Sequence, residues 1–190
     1  MARYGDGLPV SRGEAMILKA LFVLLLILIA LGAVASQKPD SFKVERSGLV
    51  PAPPAAVYAR IISFPAWKEW SPWEEYDPNM KHTYGGMEGA IGSNFAWVGE
   101  GKAGSGKMIL TAAEPGKSVA IQLDFTKPFE AHNQILFTLT PEVDGTRVTW
   151  TMSGPSPFIT KFFTLFFNMD KTVGADFERG LAKLAATTKR

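Results

Sequence analysis

The stretch FPAWKEWSPWEEYDPNMK, residues 64–81, contains the side chains of this sequence that most readily suggest ligand chemistry. Its tryptophans recur at every third position: Trp67, Trp70 and Trp73. Three acids follow closely: Glu74, Glu75 and Asp77. Tryptophan faces and carboxylates together can hold a cationic ligand by cation–π and ionic contacts. The alternative, which we favour, is a structural corner, because large aromatic side chains mostly pack in cores and a spacing of three aligns them on a tight helix.

Side chains for catalysis or metal binding are scarce. The absence of cysteine excludes disulfides, thiolate metal sites and cysteine nucleophiles. The two histidines are His82, beside a predicted turn, and His132, on the polar side of a predicted strand. We expect both at the surface, and therefore predict neither a hydrolase triad nor a metal centre. We predict no cofactor, and no convincing acid–base pair is visible in the sequence.

The segment GKAGSGKM, residues 101–108, has the glycine and lysine spacing of a phosphate-binding loop. Such a loop requires a following helix and a Ser or Thr directly after the lysine. Met108 occupies that position, and the residues after it alternate as in a strand. We interpret the segment as a glycine-rich hairpin turn.

The composition is that of one globular domain with an appendage. The chain has 190 residues, of which 46% are hydrophobic and 20% charged. Its net charge of +2 comes without a concentrated basic stripe, so we predict no nucleic-acid partner.

The appendage is an apolar segment, MILKALFVLLLILIALGAVA, at residues 16–35. At 1.5 Å per residue it spans about 30 Å, the thickness of the bilayer hydrocarbon. Lys19 lies in the first turn, where its stem can extend towards the headgroups. The alternative is a cleaved signal peptide, because AVA before Ser36 resembles a signal-peptidase site. We favour an uncleaved transmembrane helix between a tail (1–15) and a linker (36–40), followed by the folded domain (41–190).

The orientation in the membrane is weakly encoded. Three cations lie on each side of the segment: Arg3, Arg12 and Lys19 before it, and Lys38, Lys43 and Arg46 after it. The positive-inside rule therefore gives a tie. We expect the tail in the cytoplasm and the domain on the outer side, because Lys43 and Arg46 fall in a predicted strand and the short tail has few features that favour export.

The domain itself is predicted to be α+β. A strand, SFKVERSGLV, precedes two short helices, about six strands and one long helix. The strands alternate apolar and polar residues, which is typical of an antiparallel sheet with one buried face. The expected inward residues are Phe42, Val44, Val50, Phe95, Trp97, Met108, Leu110, Val119, Ile121, Leu123, Phe125, Ile135, Phe137, Leu139, Val148, Trp150 and Met152.

The last helix is predicted from Ser156, as N-cap, and Pro157 to Leu184. Its apolar stripe comprises Ile159, Phe162, Phe166, Met169, Val173, Phe177, Leu181 and Leu184. Gly174 and Gly180 predict close approach of the helix to the sheet. One packing face of this helix does not need three further phenylalanines: Phe158, Phe163 and Phe167. We expect them either to pack under loops or to form an apolar cavity entrance that faces the bilayer.

A longer pattern resembles a known family. RSGLVPAPPAAVYARIISFPAWKEWSPWEEYDPNMKHTYGG, with GSGKM, VTWTMSG and DFERGLAKL, is similar to the SRPBCC superfamily, and more narrowly to its membrane-anchored polyketide cyclase/dehydrase-like proteins. The resemblance covers residues 41–184. It implies a START-like helix-grip fold, in which a curved antiparallel sheet wraps a long C-terminal helix around a hydrophobic cavity. It implies no catalytic residues.

Cavity candidates follow from the inward pattern and this resemblance. They are Trp70, Trp73, Trp97, Met108, Phe125, Asn133, Phe137, Trp150, Phe162, Phe166 and Asp170. Asn133, Asp170 and Arg46 are inward polar residues, which form either a structural hydrogen-bond set or ion pair, or a polar handle for a ligand.

The predicted function is membrane-anchored binding of a hydrophobic small molecule or lipid. We favour this over an enzyme, because no acid–base pair is apparent. The alternative is a cyclase or dehydratase acting on a polyketide-like or aromatic substrate, with Asp170 or an acid near Trp73 transferring protons. A purely structural module beside other membrane proteins is a third possibility.

Overall fold

A computed structural model describes residues 12–188 of the chain. Its helices are α1 (Arg12–Ser36), α2 (Pro54–Ile62), α3 (Trp67–Trp70), α4 (Phe158–Phe163) and α5 (Met169–Thr187). Its strands are β1 (Ser41–Val50), β2 (Lys81–Gly85), β3 (Asn94–Val98), β4 (Ser105–Glu114), β5 (Ser118–Lys127), β6 (Ala131–Glu142) and β7 (Gly145–Pro155). Two 3₁₀ turns, Phe64–Ala66 and Pro72–Glu75, flank α3.

The described strands form one antiparallel sheet in the order β1-β7-β6-β5-β4-β3-β2. The first strand returns to pair with the last, and β2 to β7 follow one another by hairpins. The predicted alternation is confirmed, because side chains two residues apart share a face. Of the predicted inward residues, Phe42 and Phe125 are half-buried and the others are buried. The glycine-rich segment is the turn between β3 and β4, as predicted.

The helix α5 packs against this inner face. Phe177 stacks on Trp150 with ring centroids 4.2 Å apart. A Cβ at Gly180 would lie 2.8 Å from the Trp150 ring, and one at Gly174 would lie 2.1 Å from the Arg46 guanidinium. The predicted close approach at both glycines is therefore confirmed, and the α+β helix-grip architecture is present.

The prediction of one continuous C-terminal helix is wrong. The helix α4 ends at Phe163, and α5 begins at Met169. Asn168 is the N-cap of α5, because its backbone is extended and its side-chain oxygen accepts a hydrogen bond from the Lys171 amide at 2.9 Å. Pro157, not Ser156, is the N-cap of α4. Because α4 and α5 are separate, the predicted stripe is interrupted, and Ile159 and Phe166 are exposed rather than in the core.

The inward side chain of α4 is Lys161, which is buried and pairs with Asp40. This ion pair joins α4 to the linker at residues 36–40. Lys38 makes a second contact between the linker and the segment after α4, because its Nζ donates a hydrogen bond to the Thr164 carbonyl at 3.0 Å.

The helix α1 is long and apolar enough to cross a membrane, by length and composition; a signal sequence would meet the same criteria. It extends from Arg12 to Ser36, slightly beyond the predicted 16–35, and most of its apolar side chains are exposed, although Ala35 is buried. Its C-terminal part lies beside α4, where a Cβ at Gly32 would be 3.7 Å from the Phe158 ring. Most of the predicted tail, including Arg3, lies outside the described residues.

Candidate functional site

The inner face of the sheet and α5 border a partly open cavity of about 430 Å³. The strands contribute mainly apolar side chains: Phe95, Trp97, Met108, Leu123, Trp150 and Met152. Met169, Val173 and Phe177 of α5 close the opposite wall. Ligand pockets commonly measure about 300–1,000 Å³ and combine an apolar lining with a few polar groups. This cavity is near the small end of that range.

Six of the predicted cavity residues lie in its wall: Trp73, Trp97, Met108, Phe125, Asn133 and Trp150. The other five lie elsewhere. Trp70 and Phe137 are fully buried in the core and pack edge to face, with centroids 6.1 Å apart. Phe162 packs on Phe166 at 5.8 Å, outside the cavity wall. Asp170 pairs with Arg46. Ligand contact by the six wall residues stays a prediction.

The tryptophan stretch is mainly a packing corner. Phe64, Trp67 and Trp70 are buried, and the Trp67 and Trp70 rings lie 4.7 Å apart. The Trp67 indole N–H donates to the Ile61 carbonyl at 2.8 Å, which satisfies its buried polar atom. A fully buried Trp70 cannot present its face to a ligand, so a cage built from all three tryptophans is excluded. Trp73 is half-buried and lines the cavity.

The acids behind Trp73 have different environments. Glu75 accepts from Lys183 at 2.8 Å. Asp77 accepts from the backbone amides of Asn79 and Glu100, each at 2.9 Å. Of these acids only Glu74 lines the cavity, and the hydrogen bonds described for residues 12–188 include none to its carboxylate. Glu74 is therefore the acid of this stretch that a ligand can reach.

The ionic contact described for Glu74 is with His82. Glu74 Oε1 lies 3.4 Å from His82 Nε2, and the two side chains are only 19% and 8% exposed. Burial raises the pKa of the Glu74 carboxyl above its ordinary value, although the positive charges of His82, Lys68 and Lys183 act in the opposite direction. The carboxyl is thus held in a partly desolvated position beside a buried imidazole.

The prediction that His82 lies at the surface is wrong. It is in β2, directly opposite Trp97 of β3, and its ring lies 5.3 Å from that of Phe95. The short alternation of His82 and Tyr84, which face the aromatic residues of β3, is the sequence signal that could have indicated this position. His132 is exposed as predicted, and its Nδ1 lies 2.7 Å from Asp124.

The predicted inward polar residues separate into two groups. Arg46 contacts Asp170 at 3.0 Å and Glu178 at 2.8 Å, and hydrogen bonding from Arg46 lowers the pKa of Asp170. This is the structural ion pair of the sequence analysis. Asn133 instead is buried and lines the cavity, close to Gly154 of β7.

One edge of the cavity is formed by the β5–β6 loop and α4. Pro128, Phe129 and Glu130 of the loop and Thr160 of α4 line it. The Phe129 and Phe163 rings lie 6.4 Å apart across this edge. Exposed apolar residues occupy this loop, α4 and the segment after α4: Phe129, Phe158, Ile159, Phe163, Phe166 and Phe167, which we call the portal patch. Their exposed fractions range from 46% to 72%.

Comparison with solved structures supports the same architecture. A Chromobacterium violaceum protein matches with a TM-score of 0.56 at 14% identity, over 80% of this chain and 99% of that one. An Aha1 dimer structure from Colwellia psychrerythraea matches with a TM-score of 0.55 at 16% identity, over 77% and 96%. The di-domain ARO/CYC StfQ of the steffimycin biosynthetic pathway matches with a TM-score of 0.56 at 12% identity, over 78% and 50%. At these identities the likeness shows the fold alone.

Sequence comparison gives the family. No curated protein matches the chain. A family model described as polyketide cyclase / dehydrase and lipid transport matches residues 41–189, the whole domain that follows the apolar helix. With the helix-grip fold and the cavity in place, this match shows that the chain belongs to the polyketide cyclase / dehydrase and lipid transport family of the SRPBCC type.

Proposed function

We propose that the domain at residues 41–190 holds a hydrophobic small molecule in its cavity and exchanges it with the membrane to which α1 tethers it. The observation that carries this proposal is the cavity edge at the β5–β6 loop and α4, because both segments carry residues of the portal patch and α4 lies beside the C-terminal part of α1. A cavity of about 430 Å³ suits a compact ligand or a single acyl chain.

The driving force is the transfer of apolar surface into the cavity. An aromatic group of side-chain size buries about 150–250 Å². At about 25 cal/mol per Å², this burial contributes about 4–6 kcal/mol before the costs of immobilisation. Such a gain permits reversible binding, as hand-over requires.

The portal patch supports entry from the bilayer. Contiguous exposed apolar groups usually mark an interaction surface. Phe158 is close to Gly32 of α1, so a membrane-spanning α1 would hold the patch near the membrane surface. An apolar ligand could then enter between Phe129 and Phe163 without crossing water. In this arrangement residues 1–15 remain the tail, expected in the cytoplasm, with the domain on the outer side.

Transfer of a fluorescent fatty-acid probe from vesicles tests the proposal. The double substitution Phe163→Ser and Phe167→Ser should slow uptake while the fold remains intact. The matched control is Met87→Ser with Val143→Ser, which removes two exposed apolar residues that do not line the cavity. Equal uptake by a well-folded portal variant and the control would refute the membrane entrance. Absence of any fatty-acid uptake by the native protein would refute an acyl-chain ligand.

A second candidate function is catalysis of the cyclase or dehydratase type. The family description and the position of Glu74, an acid beside Trp73 in the cavity wall, favour it. Asp170 is a poorer candidate acid because Arg46 already engages it. Incubation with a linear poly-β-ketone, followed by liquid chromatography and mass spectrometry, separates the two functions. An enzyme would produce more of one cyclised or dehydrated product than forms in a protein-free sample, whereas a binding protein would leave the product distribution unchanged.

A further inference from the structure

Glu74 is an acid in an apolar cavity wall whose carboxylate has unused acceptor capacity. A carboxylate can accept about four hydrogen bonds. The described contacts of this one consist of the 3.4 Å approach of Oε1 to His82 Nε2, and no hydrogen bond among residues 12–188 is described for Oε2. The Glu74 side chain is 19% exposed, so its carboxylate is partly desolvated, and a ligand in the cavity can supply a hydrogen-bond donor that the described residues do not.

The charges around Glu74 indicate what kind of donor this is. His82, Lys68 and Lys183 all place positive charge near the carboxyl when they are protonated. These cations favour the charged carboxylate, although less than burial disfavours it, and they would repel an ammonium group brought into the cavity. A neutral donor has no such penalty, and its hydrogen bond to a charged acceptor is stronger than one between two neutral groups.

The imidazole of His82 lies beside this carboxylate, with Nε2 3.4 Å from Oε1 and without a hydrogen bond to it. His82 does not line the cavity, and the aromatic rings of Phe95 and Tyr84 pack against it. It approaches one carboxylate oxygen and thereby leaves the other for a ligand. The neighbouring ring of Trp73 gives the ligand an apolar surface beside its polar group.

We propose that Glu74 is the recognition residue of the cavity, and that the ligand is a neutral hydrophobic molecule with a hydroxyl group that donates to the Glu74 carboxylate. This inference rests on the proposed binding function. It narrows the ligand from any hydrophobic molecule to an alcohol or phenol.

The test is a comparison of three bicyclic probes by calorimetry on the full-length protein in nanodiscs, with empty nanodiscs as background. The probes are 2-naphthol, 2-methylnaphthalene and 2-naphthylmethylammonium, which differ in the group presented to Glu74. A hydrogen bond to a charged group should make 2-naphthol bind at least about tenfold more tightly than 2-methylnaphthalene. The ammonium should bind more weakly than 2-naphthol.

Glu74→Leu should abolish the preference for 2-naphthol, and Glu74→Gln should reduce it while it preserves side-chain volume. Glu75→Gln is the matched control, because Glu75 lies on the same 3₁₀ turn, pairs with Lys183 and does not line the cavity. Thermal melts identify variants that fail to fold. If Glu74→Leu fails to fold, the comparison rests on Glu74→Gln.

The outcomes distinguish the role of Glu74 from the proposed binding function. If both neutral probes bind and their affinity ratio is unchanged by Glu74→Gln and Glu74→Leu, the role of Glu74 is refuted and the binding function stands. Tighter binding of the ammonium than of 2-naphthol also refutes it, in favour of a cationic ligand. Failure of all three probes to bind the native protein refutes the binding function together with this inference.

Discussion

Trp70 and Trp73 lie three residues apart, but the structure predicts different consequences when each is replaced by alanine. Trp70 is fully buried against Trp67, Phe137 and Trp150, and its indole N–H donates to the Arg60 carbonyl at 3.3 Å. Trp73 is half-buried and presents part of its ring to the cavity. The first residue therefore supports the core, and the second also borders the proposed ligand.

The magnitude for Trp70→Ala follows from burial. A tryptophan side chain removes about 150–250 Å² from water, equivalent to about 4–6 kcal/mol at 25 cal/mol per Å². Burial relative to a realistic unfolded chain is smaller, so the lower part of this range applies. We expect a loss of about 3–5 kcal/mol in the free energy of unfolding, as for other large aromatic truncations in cores. For a domain of this size, each kcal/mol lowers the melting temperature by about 2–4 °C.

Thermal melts and urea unfolding of both variants measure this difference. Trp73→Ala should lose less stability than Trp70→Ala, because its ring is only partly buried, and should weaken probe binding. A Trp70→Ala variant whose melting temperature stays within a few degrees of the native value would refute the packing-corner interpretation. Equal losses for the two variants would show that cavity exposure of Trp73 has no energetic consequence.

Two further predictions concern Glu74 and α1. Because the pKa of Glu74 is raised, its contribution favours folding below its ordinary pKa of 4.5 and is lost as the pH rises through the raised value. Glu74→Gln should therefore raise the melting temperature near neutral pH, and this increase should become smaller in acid. Glu75→Gln should lower the melting temperature near neutral pH, because hydrogen bonding from Lys183 lowers the pKa of Glu75. A lower melting temperature for Glu74→Gln at neutral pH would contradict this sign. Carbonate extraction of the native protein should leave it in the membrane fraction with an intact N-terminus, and a mature chain that begins at Ser36 would show that α1 is a cleaved signal.

The sheet was predictable from sequence because strand alternation depends only on neighbouring residues. Val119 and Ile121, for example, lie two residues apart in β5, and both are buried. The break after α4 was not predictable in this way, because the apolar period continues from Phe162 through Phe166 to Met169. The deciding interactions are a local cap at Asn168 and the long-range pair between Lys161 and Asp40.

The candidate site was predictable only in part. The aromatic wall follows from the inward face of the strands, so Trp97 and Trp150 could be identified from alternation. The pairing of Glu74 with His82 could not, because it depends on how the Pro72–Glu75 turn is placed against β2. Periodicity describes each element separately and contains no information about that placement.

The acids near α5 differ in whether a side chain of the fold donates a hydrogen bond to them. Glu75 has Lys183 and Asp170 has Arg46, while Asp176 accepts from Tyr76 at 2.7 Å and also pairs with Arg179. Each of these carboxylates has a donor within the fold, as a structural role requires. Glu74 differs, because it is partly desolvated and its described polar contact is the approach to His82. A residue whose charged form is disfavoured by burial and that faces the cavity is better explained by ligand recognition than by folding. The same substitution, Glu74→Gln, should therefore increase stability and decrease the preference for hydroxylated ligands, two effects that a purely structural role would not combine.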